Sequence, residues 1–416
     1  MAAERRANRA DASDPRGQVA DRLRPFGETI FAEMTRLANQ HEAVNLAQGF
    51  PDFDGPAYIR DAAAEAIHKG PNQYARSIGV PELNRAIAEN WAEFTGIEID
   101  PDAQVTITAG CTEAIAATLL GLVNPGDEVI LFEPFYDAYL AAIAMAGATP
   151  VPVTLRPPGP DAPSLSPFRF DHSELRAAFG PRTRAIIVNT PHNPTGKVFT
   201  QSELSAIADL CIANDVIAIT DEVYEHLVYE PDQQHIRLGA LPGMQSRSVT
   251  CSSIGKTFSL TGWKVGWTIA SPALTAGVRA AHQYLTFATP PALQIASALA
   301  LNDGADAVAD INARFTSTRG MLADALRAMG LRVFWPSGGY FIMADHTPLG
   351  FSSDVEFCQA LIREAKVAAI PPSSFYLNPS HGNNLVRFAF CKSTETMREA
   401  TRRLERFVPE KTGPAA

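Results

Sequence analysis

The chain has 416 residues, 46% of them hydrophobic, and a formal net charge of −10. It is long enough to bury a large core and to divide into two linked domains, because single cores beyond ~250–300 residues tend to split. The acidic balance argues against nucleic acid or an anionic membrane as the main partner, so an anionic ligand has to be met by a local pocket.

Residues 1–22 are rich in Arg, Ala and Asp without an apolar stretch. They read as a disordered tail rather than a secretory signal, and Glu4, Asp11, Asp14 and Asp21 break the acid-poor pattern of a transit peptide. Amphipathic periodicity predicts helices over 58–69 and 81–94, the second opening on Pro81. A short strand over 105–108 leads through Gly110 into a helix that starts near Thr112. Pro125-Gly126-Asp127 is a turn before a strand over 129–132, and 156–167 is a Pro-rich surface loop. The β-branched runs 184–189 and 216–220 suit buried parallel strands. After Arg319 the pattern changes to strands over 331–335, 340–344, 367–370 and 385–390, with a closing helix over 394–407. Strand and helix alternation predicts an α/β sheet covered on both faces, followed by a smaller α+β domain.

Five cysteines at 111, 211, 251, 358 and 391 form no C-x-x-C pair and read as reduced thiols of a cytoplasmic protein. The nine histidines show no ligand spacing, so no metal site is expected. No apolar run is long enough to span a membrane.

The densest chemistry lies in Ser253-Ile254-Gly255-Lys256-Thr257, with Lys264 eight residues beyond Lys256. A lysine in a small turn is a candidate to form an imine with an aldehyde, provided burial and a nearby cation lower its pKa; Lys264 could supply that charge while binding phosphate. Gly-Lys-Thr also ends a phosphate-binding loop motif, but that motif needs glycine where Thr250 stands. Asp221 follows a buried-looking strand and could hold a pyridinium nitrogen; otherwise it is the N-cap of a helix. Tyr224 and Asn193, the latter in Asn189-Thr190-Pro191-His192-Asn193-Pro194-Thr195-Gly196, could bond a phenolic oxygen. Thr112 without an acidic residue at the third helical position makes a poor capping box, which favours a phosphate on the amides of Cys111 and Thr112, with the Ser253 hydroxyl added. Tyr136 could stack on a ring. Arg387, inside the apolar run Leu385-Val386-Arg387-Phe388, needs a partner: a carboxylate ligand or a structural acid. A lysine to receive an aldehyde, an aspartate for a ring nitrogen and a phosphate cup together describe what pyridoxal 5'-phosphate (PLP) requires of a protein.

In this order the elements resemble the class I aminotransferases of PLP-dependent transferase fold type I. The stretches 45–53, 72–74 and 133–136 are similar to the branch containing kynurenine aminotransferases, glutamine transaminase K and methionine aminotransferases. Arg22-Leu23-Arg24-Pro25-Phe26, Phe31-Ala32-Glu33-Met34 and Leu385-Val386-Arg387-Phe388 are similar to actinobacterial N-succinyldiaminopimelate aminotransferases. The resemblance implies a large domain with a mostly parallel seven-stranded sheet sandwiched by helices, plus a smaller α+β domain. It implies an arm over 23–58, a PLP domain over 59–314 and a small domain over 315–416. It implies ping-pong transfer of an amino group from an L-amino acid to a 2-oxo acid, with a carbon–sulfur β-lyase as the alternative. Lys256 would be the imine-forming residue and proton carrier, Asp221 would bind the ring nitrogen, and Asn193 and Tyr224 the phenolic oxygen. Cys111, Thr112, Ser253 and Lys264 would hold the phosphate, joined by Tyr74 from the other subunit of a homodimer. Arg387, with Gly49 and Asn193, would grip the substrate carboxylate. Phe26, Tyr74 and Phe287 are expected apolar walls. No second arginine lies near 283–290, which argues against strict dicarboxylate preference. Arg76 could meet a distal acid or be a plain surface arginine.

Overall fold

The computed structural model describes residues 19–70, 72–159, 161–162 and 165–407. Of the tail expected over 1–22, residues 1–18 lie outside the described residues, as do 160, 163 and 164 of the Pro-rich loop.

Seven strands form the central sheet: β1 (Val105–Thr108), β2 (Glu128–Glu133), β3 (Thr149–Thr154), β4 (Thr183–Asn189), β5 (Ile217–Asp221), β6 (Ser248–Ser253) and β7 (Gly266–Ala270), in the order β1-β7-β6-β5-β4-β2-β3. The pairs joining β3, β2, β4, β5 and β6 are parallel. β7 runs antiparallel to both β6 and β1. Every residue of β1, β5, β6 and β7 is buried, which explains why these strands read as continuous apolar and Thr/Ser runs instead of alternating ones.

Local signals set many helix limits. Pro81 opens the helix Pro81–Thr95 and Gly96 closes it at φ 72°. Thr200 and Glu203 make a reciprocal capping box on the helix Gln201–Asn214. The second, antiparallel sheet comprises β8 (Arg332–Phe334), β9 (Phe341–Asp345) and β10 (Leu385–Ala389), with β9 central. The 24-residue helix Ala305–Ala328 runs unbroken past position 314. The strand expected over 367–370 is shorter: Val367–Ala368 pairs with Val44–Asn45, and Ile370 makes only an isolated bridge to Arg387. Pro371 and Pro372 follow at once and lack the N–H groups that pairing needs. The closing helix is Thr394–Leu404, with Phe407 packed beyond its end. Among the described residues no helix is long and apolar enough to cross a membrane.

Register decides what gathers at the carboxyl ends of the parallel strands. Asn189 on β4 pairs with Asp221 on β5, Asp221 with Cys251 on β6, and Ser253 on β6 with Gly266 on β7. Open α/β sheets bind their ligands at this edge.

Candidate active site

A cavity of about 400 Å³ opens at that edge, lined by Gly49, Cys111, Thr112, Tyr136, Asn193, Asp221, Tyr224, Ser253, Lys256, Lys264 and Arg387. The fold thus brings together the residues singled out above for cofactor or substrate, except Tyr74, Phe26, Phe287 and Arg76.

Lys256 sits in the single helical turn Ile254–Thr257 after β6, the small turn expected there. Its Nζ lies 3.4 Å from Gly49 O and 5.5 Å from the centre of the Tyr340 ring. Burial lowers its pKa; the Cys391 thiol and Asp221 oppose that, and Lys264 adds to it. Gly49 admits the approach of the small sheet, since a Cβ there would lie 2.5 Å from Phe341 Cζ.

Asp221 ends β5 and caps no helix, because the segment after it turns without forming one. The carboxylate is buried; Tyr139 donates to Oδ2 at 2.6 Å, the Val223 amide to Oδ1 at 3.3 Å, and Cys111 Sγ lies 3.6 Å from Oδ1. Burial raises its pKa, with the Tyr139, Val223 and Cys111 hydrogen bonds and the Lys256 charge opposing. A buried acid facing a cavity is costly when ionised unless a cation meets it. Tyr224 is buried edge-on to Tyr340, and burial raises its phenol pKa.

The helix Cys111–Leu122 starts on Gly110 at φ 78°, not on Thr112, and no side chain caps it. Glu113 therefore occupies the third helical position, where its carboxylate accepts from the Ala109 amide. A Cβ on Gly110 would touch Lys264 Nζ at 3.1 Å, and one on Gly266 would lie 2.7 Å from Cys111 N. The two glycines let a lysine and a strand press on an uncapped helix start. Free amides, a positive dipole end and an ammonium in contact suit a phosphate.

Arg387 is 1% exposed. Its guanidinium donates to Asn193 Oδ1 at 3.2 Å and Ala47 O at 2.9 Å, and it lies 4.1 Å from the Phe341 ring centre. Its Nε has no partner, and among the described residues no carboxylate forms an ion pair with it. The structural-acid alternative is therefore not what the fold supplies. Burial lowers its pKa to about 10.

The remaining expectations change. Phe26, Tyr74 and Phe287 are absent from the cavity wall, where Phe31, Phe50 and Phe341 stand. Tyr74 is 88% exposed and meets Phe287 edge-on at 5.4 Å. Both lie outside the helices and strands. Arg76 pairs with Asp102 at 3.0 Å, a surface contact. Several wall residues escaped sequence reasoning. Tyr139 lies in the first turn of the helix Ala138–Met145, three residues after Tyr136, and nothing local marked it. Asn189 donates to Asp221 O at 2.9 Å and accepts from Asn193 N at 2.7 Å, so it holds the 190–196 loop. Tyr340 donates to Gly49 O at 2.5 Å. Away from the cavity, Glu222, Glu225 and His235 cluster in the core, with Arg237 at 2.6 Å from Glu225 and 3.9 Å from Glu222 as their cation.

Residues 41–404 match the family described as aminotransferase class I and II. The chain is 47% identical over 395 residues to the probable N-succinyldiaminopimelate aminotransferase DapC of Mycobacterium tuberculosis, covering 93% of this chain and 98% of that protein. The solved structure of that organism's N-succinyldiaminopimelate aminotransferase superposes with a TM-score of 0.89 over 93% of this chain and 99% of that one, at 47% identity. The methionine aminotransferase of Escherichia coli is 40% identical over 383 residues, covering 92% of this chain and 97% of its own. A rat kynurenine–oxoglutarate transaminase 3 is 39% identical over 399 residues, 91% of this chain and 88% of its own. The cavity chemistry fits PLP on its own terms: an uncapped cationic helix start for a phosphate, a buried carboxylate for a ring cation and a buried lysine for an aldehyde. The chain belongs to the class I and II aminotransferases, PLP-dependent enzymes of fold type I that transfer amino groups.

Proposed function

We propose that the chain moves an amino group from an L-amino acid to a 2-oxo acid in two half-reactions at this cavity. The observation that carries the assignment of roles is that Lys256 and Arg387 face one cavity and that, among the described residues, neither has an ion-pair partner.

Arg387 is proposed to take the donor α-carboxylate on its planar fork, assisted by Asn193, which already meets it. That fixes the donor Cα relative to Lys256. Lys256 Nζ, whose pKa burial lowers, is proposed to accept the proton from Cα and would carry it toward the bound cofactor. The bound cofactor supplies an electron-poor ring that stabilises the charge left on Cα and receives the amino group. Asp221, oriented by Tyr139 and Val223, is proposed to keep the ring nitrogen protonated, and Tyr224 and Asn193 to bond the phenolic oxygen. The amides of Cys111 and Thr112, with Ser253 and Lys264, are proposed to hold the phosphate, and Tyr136 to stack on the ring.

The donor is proposed to carry an apolar or extended side chain, in keeping with the walls Phe31, Phe50 and Phe341. Methionine, glutamine, kynurenine and N-succinyldiaminopimelate are the candidates, the last supported by the 47% identity to the Mycobacterium tuberculosis protein. We further propose a homodimer with shared sites, supported by the exposed aromatics Tyr74 and Tyr284 beside Phe287. A cytoplasmic setting is proposed from the five cysteines, all buried and unpaired.

The test is to follow the visible absorption of bound PLP while adding single amino acids. A donor should abolish the band and a 2-oxo acid should restore it. Retention of the band with all four donors would remove the proposed substrate class.

A further inference from the structure

His282 lies on the helix Pro272–Leu285 and is buried. Its Nδ1 is 2.7 Å from Glu113 Oε1 and its Nε2 is 2.8 Å from Ser77 O. A carbonyl oxygen only accepts, and an ionised carboxylate only accepts, so the ring satisfies both contacts only with both nitrogens protonated. A neutral ring would need the proton on Glu113 instead. Burial opposes charge on both groups, yet the mutual contact, with the Ala109 amide on Glu113, raises the His282 pKa and lowers that of Glu113. Both directions favour the ion pair, with the proton on the ring.

Other charges near this helix are already engaged. Arg279, one turn earlier, donates to Thr106, Asp102 O and Val105 O. Arg76, beside Ser77, pairs with Asp102. The facing strands β1 and β7 contribute no titratable side chain. Glu113 is thus the charged group that meets the ring.

Glu113 sits at the third position of the very helix whose start is proposed to receive the phosphate. Unneutralised, its charge would oppose a phosphate there. Ser77 lies three residues after Tyr74, and His282 lies five before Phe287, the two aromatics that meet on the outer face. We propose that His282 is a positioning residue: as an imidazolium it neutralises Glu113 and ties the phosphate-receiving helix start to the loop bearing Tyr74. This rests on the phosphate reading above.

Two measurements test it. Imidazole nitrogen NMR of the holoenzyme at pH 7.5 should show one buried ring with both nitrogens protonated, lost in His282→Asn. A neutral single tautomer there overturns the proposal, whatever the variants do. Second, PLP dissociation constants are measured by equilibrium dialysis. His282→Asn should weaken PLP about tenfold by exposing the phosphate to an uncompensated carboxylate, and His282→Asn with Glu113→Gln should recover most of it. A merely structural histidine predicts a double variant no better than the single one, which would refute the idea. If His282→Asn does not fold, Glu113→Gln alone should remove the doubly protonated signal, and its persistence would refute the idea. Lys264→Ala separates the two readings: unchanged PLP affinity there would sink the phosphate assignment, whereas weakened binding there with unchanged binding in His282→Asn would sink only this inference.

Discussion

Replacing Arg387 with methionine should nearly abolish turnover without destabilising the protein. The side chain is 1% exposed, and burial lowers its pKa from 12.5 to about 10. At about 1.4 kcal/mol per pKa unit, keeping it charged in the apoprotein costs on the order of 3 kcal/mol. Against that stand hydrogen bonds to Asn193 and Ala47, each contributing about 1.5–3 kcal/mol as bonds from a charged donor. Methionine removes both terms, keeps similar volume and packs against Phe31, Phe341 and Phe375, whose rings already surround the guanidinium. The net change in apoprotein stability should therefore be within about 1–2 kcal/mol of zero. Catalysis should fall far more, because a buried bidentate pair with the substrate carboxylate contributes roughly 2–5 kcal/mol, which is about 30-fold to several thousand-fold in kcat/KM. The assay pairs steady-state kinetics on methionine with chemical denaturation of the apoprotein. The variant should also lose discrimination between an α-amino acid and the corresponding amine lacking the carboxylate. Wild-type kcat/KM would refute the carboxylate role. A stability loss of about 4 kcal/mol or more would refute the claim that the charge is held at a cost for a ligand.

Lys256→Ala should retain PLP binding but lose turnover, and substantial activity measured in a coupled transamination assay would dismiss it as the proton carrier. Asp221→Asn should lower kcat/KM by about a thousandfold while leaving PLP bound. The same variant tests a pH linkage. Burial raises the folded pKa of Asp221 above 3.8, so its contribution to apoprotein stability is fully present below 3.8 and is lost as pH rises through the raised value. Asparagine should flatten that slope in denaturation curves taken across the acid range, and an unchanged slope would mean the carboxylate titrates normally. Mixing Lys256→Ala and Tyr74→Ala subunits should restore about a quarter of wild-type sites, since one site of each hybrid dimer would be intact. No recovery after subunit exchange would argue that Tyr74 serves no neighbouring site.

Where the signal was local, the sequence was readable. Val105–Thr108 appears at its expected limits, its four buried residues stopping two positions before Gly110, and Pro81 and Gly96 bracket their helix through fixed and left-handed φ. Lys256, Asp221, Asn193 and Arg387 could be named because each pairs a reactive group with an apolar or glycine-marked setting that a surface residue would not need. Tyr139 and Asn189 could not be named the same way. Their chemistry is ordinary until a helix turn and a strand register point them at Asp221 and Asn193. The Phe26 and Phe287 walls failed for a related reason, since apolar character says that a ring is buried or partnered, not by what.

The sequence by itself determined most element types, the cofactor chemistry and the candidate reactive groups, because these depend on residue type and spacing over a turn or a strand. Only the tertiary structure decided that Arg387, on the small sheet, reaches Asn193 on a loop after β4, 194 positions away, and that no acid among the described residues pairs with it. It likewise decided that Glu113 and His282, 169 positions apart, meet at 2.7 Å. Such pairings depend on strand order and helix packing, which bring distant segments to one edge of the sheet and leave no trace in local periodicity.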